Sequence, residues 1–159
     1  MTKLPAYVVA LGASNTAGYG VPCTAAYPSV LETLLRARGF ELRVTNAGIS
    51  GNRTGEMLAR LEADVPADTR VVIFQPGSND VRRGIGEAVR ERNINVVEEN
   101  LRSRSITVVR VAAAFEAARP GNLQGDGIHY TERGHELIAR SILEQVADAL
   151  VQLGVRPTH

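Results

Sequence analysis

The chain has no tryptophan, a single cysteine and an aromatic fraction of only 4%. Little is therefore available to stack on nucleobases, flavins or sugars. Cys23 has no partner for an intramolecular disulfide, and no second cysteine or nearby histidine joins it in a metal-ligand cluster, so it reads as an inert buried or loop thiol. A charge field of one sign is also missing: 18 basic and 17 acidic residues are intermixed, for a formal net charge of +1. That balance argues against nucleic acid or an anionic membrane surface as partner. No apolar run reaches the length of a membrane span. The apolar part of the N-terminal segment Met1–Gly12 is too short for a secretion signal and reads as a first strand. A cytoplasmic location is expected, or a periplasmic or secreted one if a leader has been removed.

What is present suffices for one core. At 159 residues with 44% hydrophobic content, the expectation is a single domain over residues 1–159. Strand-length apolar runs alternate with segments of helical period, which predicts an α/β fold with a parallel sheet covered on both faces. The predicted strands are Tyr7–Leu11, Glu41–Thr45, Arg70–Gln75 and Ile106–Val111. The predicted helices are Pro28–Arg38 with Gly39 as its stop, Thr54–Asp64, Glu87–Ser103, and a long last helix capped by Thr131 and closed by Gly154. The segment Ala112–Gln124 reads as a helical turn, an irregular loop or both.

In an open parallel sheet, ligands bind beyond the carboxyl ends of the strands, and the polar loops of this sequence fall there. Gly12-Ala13-Ser14-Asn15 follows the first strand, Asn46–Asn52 the second and Gly77-Ser78-Asn79-Asp80 the third, while Asp126-Gly127-Ile128-His129 precedes the last helix. Any one of these is an ordinary turn. All of them at one edge form a pattern. A serine hydroxyl becomes nucleophilic when an imidazole takes its proton, and that imidazole needs a group fixing its tautomer. The glycine in Asp-x-x-His lets a tight turn bring Asp126 onto His129. The N–H of Ser14, the N–H of Gly51 and the Asn79 amide could then converge as an oxyanion hole.

These blocks resemble those of the SGNH hydrolases, also called GDSL esterases and lipases. The resemblance covers nearly the whole chain in the family's block order. Gly12-Ala13-Ser14 stands for the usual Gly-Asp-Ser, and Asn46 to Gly51 for the second block; Gly77-Ser78-Asn79-Asp80 and Asp126 to His129 match the third and last. It implies a three-layer α/β/α, flavodoxin-like fold. It also implies Ser14 as nucleophile, His129 as base, Asp126 as orienting acid, and Ser14, Gly51 and Asn79 as oxyanion donors. The expected activity is that of a serine esterase on short-chain or aryl carboxylic esters, like small bacterial arylesterases, with no cofactor and no metal. Acetylated carbohydrates, thioesters and lysophospholipids would meet the same loops, and short loops favour small acyl groups.

Two departures from the family stand out. Ala13 replaces the usual Asp beside the nucleophile, which predicts retained but altered activity and leaves a non-catalytic relative as one alternative. The stretch before Asp126 is too short and polar for the fifth strand of larger members. A sheet of four strands ordered 2-1-3-4 is predicted, the fifth absent or vestigial, with a second copy of the chain as a candidate cover for the edge. A competing class is a flavodoxin-like module cradling phosphate or FMN in Gly12–Gly18, but it gives Asp126 and His129 no task. His135 and His159 are expected at the surface. Arg82 and Arg83 read as a solvated loop in preference to an anion site, Asp80 as a brace between loops, and Tyr19 and Tyr130 as candidate pocket walls.

Overall fold

The structure, a computed structural model, describes residues 3–159. Its elements in chain order are β1 (Val8–Gly12), α1 (Ser14–Ala17), a short 3₁₀ turn (Cys23–Ala25), α2 (Tyr27–Ala37), β2 (Val44–Gly48), α3 (Thr54–Ala59), α4 (Leu61–Asp64), β3 (Val71–Phe74), α5 (Asn79–Arg82), α6 (Glu87–Ser103), β4 (Thr107–Arg110), α7 (Ala112–Ala118) and α8 (Glu132–Gln152). The strands form one parallel sheet ordered β2-β1-β3-β4, and no fifth strand joins it among the described residues.

Side chains on a strand alternate between faces, so a sheet covered on both sides needs apolar residues at every position. β1 and β3 supply them. Val8, Ala10, Val71 and Ile73 face one core with Leu31 and Leu35 of α2 and Ile138, Ile142 and Val146 of α8. Val9, Leu11, Val72 and Phe74 face the other with Met57 of α3 and Val97 and Leu101 of α6. Each fully buried side chain of this size contributes about 1.5–3 kcal/mol. The two cores hold the strand ends, and the loops that leave them, in fixed register.

Three sequence-based expectations need correction. β2 runs from Val44 to Gly48, three residues later than predicted, so Asn46, Ala47 and Gly48 belong to the strand and pair with Ala10, Leu11 and Gly12. α1 crosses so closely over the strand end that a Cβ on Gly48 would lie 2.8 Å from Ala17 Cα. Only glycine permits that approach. The predicted helix over Thr54–Asp64 is broken at Arg60, whose side chain is drawn into the strand-end loops. The segment Ala112–Gln124, by contrast, is both helix and loop, within the expectation: it begins as α7 and ends in a loop, from which Leu123 makes an antiparallel bridge to Tyr130.

The third correction concerns His135, which is fully buried. Its Nδ1 accepts the Tyr27 N–H at 3.0 Å and so satisfies an open donor in the first turn of α2, whose N-cap Ala26 has no side chain to do so. Nε2 has no partner among the described residues. Burial pushes the His135 pKa down from 6.5 to about 4. The unfolded chain therefore binds a proton near pH 6.5 that the folded chain refuses until about pH 4. Stability from this residue is whole above the unfolded value and falls as pH drops through the window between the two, by about 1.4 kcal/mol per unit and about 3 kcal/mol in all. The melting temperature is expected to fall steeply between about pH 6.5 and about pH 4.5, and His135→Gln, which keeps an acceptor for Tyr27, should flatten that slope. Parallel slopes in the two proteins would refute the assignment.

Cys23 is exposed in its 3₁₀ turn, and His159 is exposed as expected. No helix among the described residues is long and apolar enough to cross a membrane.

Candidate active site

Ser14 is carried at the end of β1 by a turn with little freedom. The Ala13 N–H donates to Gln75 Oε1 at 2.9 Å, and Thr16 Oγ1 donates to the same oxygen at 2.7 Å. Gly12 lies so close beneath that a Cβ there would stand 2.5 Å from this oxygen. Ala13 itself is buried in the core with Phe74 and Leu11. Gln75, the first residue after β3, thus anchors the turn from the neighbouring strand, and Ala13 contributes packing where the family usually has a carboxylate. Ser14 opens α1, so its N–H belongs to the open first turn; it has no acceptor among the described residues.

His129 meets Ser14 from the opposite side. Its Nε2 lies 2.9 Å from Ser14 Oγ and its Nδ1 lies 2.5 Å from Asp126 Oδ2. A carboxylate only accepts, so Nδ1 carries the proton and Nε2 is free to accept the Ser14 O–H. Asp126 Oδ1 accepts the N–H groups of Ile128 at 2.9 Å and His129 at 3.0 Å, and Gly127 provides the left-handed residue (φ 70°) of this turn. The His129 N–H, then the His129 ring, then the Ile128 N–H hold the Asp126 carboxyl well below the usual carboxylate range. Asp126 is therefore held in its charged form beside the imidazole.

Two amide side chains fix this loop on the nucleophile turn. Asn15 Nδ2 donates to the Ile128 carbonyl and its Oδ1 accepts the Tyr130 N–H, both at 3.2 Å, so it grips the residues on either side of His129. Gln124 Nε2 donates to the carbonyls of Tyr19 and Tyr130, each at 2.8 Å. The Tyr19 ring lies against the imidazole, with centroids 4.3 Å apart and planes tilted by 32°. Tyr130 is buried and donates its O–H to the Phe115 carbonyl at 2.8 Å.

The other side of Ser14 is built from the loops after β2 and β3. Asn79 Nδ2 donates one hydrogen to the Asn52 carbonyl at 2.9 Å, which orients the amide and leaves its second hydrogen uncommitted among the described residues. Gly51 sits in the left-handed region (φ 81°), and its N–H has no acceptor among the described residues. Asp80 is fully buried and accepts both Thr54 N–H at 2.9 Å and Thr54 Oγ1 at 2.6 Å, which ties these loops together as a brace. Arg60 completes the frame: it donates to the carbonyls of Gly12 at 3.0 Å and Ala47 at 2.8 Å, and to Asn52 Oδ1 at 2.8 Å.

A cleft of about 430 Å³ opens beside Ser14 and Asn79 towards α7. Tyr130 and Ile128 line it, as does Arg82; Gly51, His129 and Tyr19 do not. Arg83 points elsewhere, with its guanidinium 3.5 Å from where a Cβ on Gly51 would stand. The structure thus joins Ser14, His129 and Asp126 in one hydrogen-bonded line and puts Asn79 in the same cleft as Ser14. Among the described residues, no group of three or more His, Cys, Asp and Glu side chains is placed to hold a metal ion.

Sequence reasoning missed Gln75, Asn15, Gln124 and Arg60. Gln75 was legible as a polar residue closing an otherwise apolar strand, and Asn15 by its place beside Ser14. Arg60 gave no signal, because an arginine on a short helix reads as solvent-facing.

The sequence pattern of the GDSL-like Lipase/Acylhydrolase family matches residues 10–122. The chain belongs to that family. The match ends short of Asp126 and His129, so their place at the site rests on the geometry above. An arylesterase of Vibrio mimicus is 33% identical over 103 residues, which is 64% of this chain and 52% of that protein. The chain spans about half the length of this curated relative. Among solved structures, TesA superposes with a TM-score of 0.76 at 23% identity, covering 92% of this chain and 98% of that one. AlinE4, an SGNH-hydrolase family esterase, superposes with a TM-score of 0.67 at 28% identity, covering 94% and 99%. The α/β fold, here with a four-stranded parallel sheet, is that of the SGNH hydrolases.

Proposed function

We propose that this chain is a serine esterase that hydrolyses short-chain or aryl carboxylic esters through an acyl-enzyme. The observation that carries the proposal is the hydrogen-bonded line from Ser14 Oγ through His129 to Asp126, at the mouth of a cleft that also holds Asn79.

Ser14 Oγ attacks the carbonyl carbon while its proton passes to His129 Nε2, and Asp126 stabilises the imidazolium that forms. The carbonyl oxygen becomes an oxyanion beside the Ser14 N–H and the free hydrogen of Asn79, with the Gly51 N–H as the third donor. Collapse breaks the bond to the alcohol oxygen, which takes the proton from Nε2. Water then attacks the acyl-serine, gives its proton to Nε2, and the acid departs as Ser14 regains its hydrogen.

The proposal predicts that p-nitrophenyl acetate and butyrate are hydrolysed well above the buffer rate, with turnover falling as the acyl chain lengthens. Turnover no greater than buffer across the series would exclude it. Asn79→Ala removes one oxyanion donor and is expected to lower kcat by about 10²–10³-fold, equivalent to about 3–4 kcal/mol. An undiminished kcat in that variant would remove Asn79 from the mechanism. Acetylated carbohydrates, thioesters and lysophospholipids are alternative substrates for the same chemistry, and the series is the first step in separating them.

A phosphate or flavin cradle in Gly12–Gly18 is a poorer reading. The N–H of Ala13 is committed to Gln75, those of Thr16 and Ala17 to Ala13, and those of Gly18 and Tyr19 to Ser14. Few amides remain to surround an anion, and α1 is only four residues long.

A further inference from the structure

The charged wall of the cleft has had no task so far. Arg82, at the end of α5, and Arg119, just past α7, line it from separate elements. Both are exposed, and neither has a carboxylate partner within 4.0 Å among the described residues. Arg90 also lines the cleft but is fully employed. Its Nε and Nη2 donate to the Gly77 carbonyl at 3.0 and 2.7 Å, and its Nη1 pairs with Glu87 at 3.0 Å and Glu91 at 3.5 Å. Glu116 is the one carboxylate on the lining. With Arg90 neutralised by its own partners, Arg82 and Arg119 against Glu116 leave the cleft net positive, while Val111 and Phe115 give it an apolar wall. The chain as a whole is close to neutral at +1, so this concentration of cations without carboxylate partners is local.

The position of His129 decides which half of an ester this cleft receives. The leaving oxygen must lie against Nε2 to be protonated, and the imidazole reaches Ser14 from the side of Asp126 and Tyr19, whereas the cleft runs from Ser14 past Asn79 towards α7. The alcohol therefore departs on the side of His129 and Tyr19, and the acyl group extends into the cleft. Its volume of about 430 Å³ lies in the lower part of the range of small-ligand pockets, which suits a short acyl group.

We infer that the substrates of this site are esters of short acids bearing a second, anionic group, such as half-esters of dicarboxylic acids, with Arg82 and Arg119 reading the distal carboxylate. This rests on the esterase reading and specifies it. A guanidinium suits a carboxylate because it offers planar, paired donors. At exposed positions each such contact is worth roughly a threefold preference, so about tenfold is expected from the pair.

The test compares mono-p-nitrophenyl succinate with its neutral counterpart, methyl p-nitrophenyl succinate, by kcat/KM in the full chain. The ratio of charged to neutral ester is expected to be about ten at low salt, to shrink towards one at about 0.5 M NaCl, and to fall about tenfold in Arg82→Gln/Arg119→Gln. Arg119→Glu should bring the ratio to about one, and Arg82→Glu/Arg119→Glu should reverse the preference. A wild-type ratio at or below one, or a preference that persists in the double variant, would overturn the inference. So would a preference that follows a charge placed on the phenol instead of the acid. These outcomes leave the esterase reading standing, whereas absence of turnover on both esters would refute that reading and this inference with it.

Discussion

Ser14→Ala is expected to lower kcat for a p-nitrophenyl ester by about a millionfold, the loss typical when the nucleophile of a coupled triad is removed. Some acceleration over water should remain, on the order of 10³-fold, because the oxyanion donors and the cleft survive. The fold should survive too. Ser14 Oγ bonds only to His129, while the turn beneath it is pinned through the backbone of Ala13 and the hydroxyl of Thr16. The variant should therefore melt within a degree or two of the parent, since surface changes of this kind cost about 0.5 kcal/mol or less. A variant that keeps esterase activity would sink the assignment of Ser14. A variant that loses activity only by unfolding would leave its melting curve as witness.

Asp126→Asn should cost about 10⁴-fold in kcat for a different reason. Oδ1 accepts two backbone N–H groups, so an asparagine keeps its carbonyl oxygen there and the turn is preserved. Its NH₂ is then forced into the place of Oδ2, facing His129 Nδ1. Donor faces donor unless the imidazole changes tautomer, and the changed tautomer puts its hydrogen on Nε2, where the Ser14 proton must go. Geometry is conserved and chemistry is lost. The expected signature is a collapse of kcat with KM little changed and an intact melting transition. A loss below about tenfold would mean that Asp126 does not set the tautomer.

The sheet was legible because β1 and β3 are apolar at consecutive positions, as a doubly covered parallel strand requires, and the stretch between β4 and Asp126 is too short and polar for a fifth strand. The candidate site was legible where unusual residue types cluster in the loops that the structure brings together: Ser14 after Gly12, Asn79 after Gly77, His129 after Asp126. Side chains that act at a distance were not. His135 lies on α8 among charged neighbours and reads as a surface residue, yet it faces the open N–H of Tyr27 across the helix interface. Arg60 sits at the break in its helix and reaches the ends of β1 and β2 and the loop at Asn52, which periodicity cannot bring together. The end of β2 was hidden for a related reason, since Asn46 and Gly48 look like loop residues although the ladder with β1 continues through them.

The central claim is that Ser14 is a nucleophile activated by His129, and covalent labelling tests it most directly. The protein is incubated with a fluorophosphonate near pH 8 and examined by intact and peptide mass spectrometry. The account predicts one adduct per chain, on the peptide containing Ser14, absent in Ser14→Ala and formed far more slowly in His129→Ala. A protein that stays unlabelled while folded, or an adduct that persists in Ser14→Ala, would contradict it.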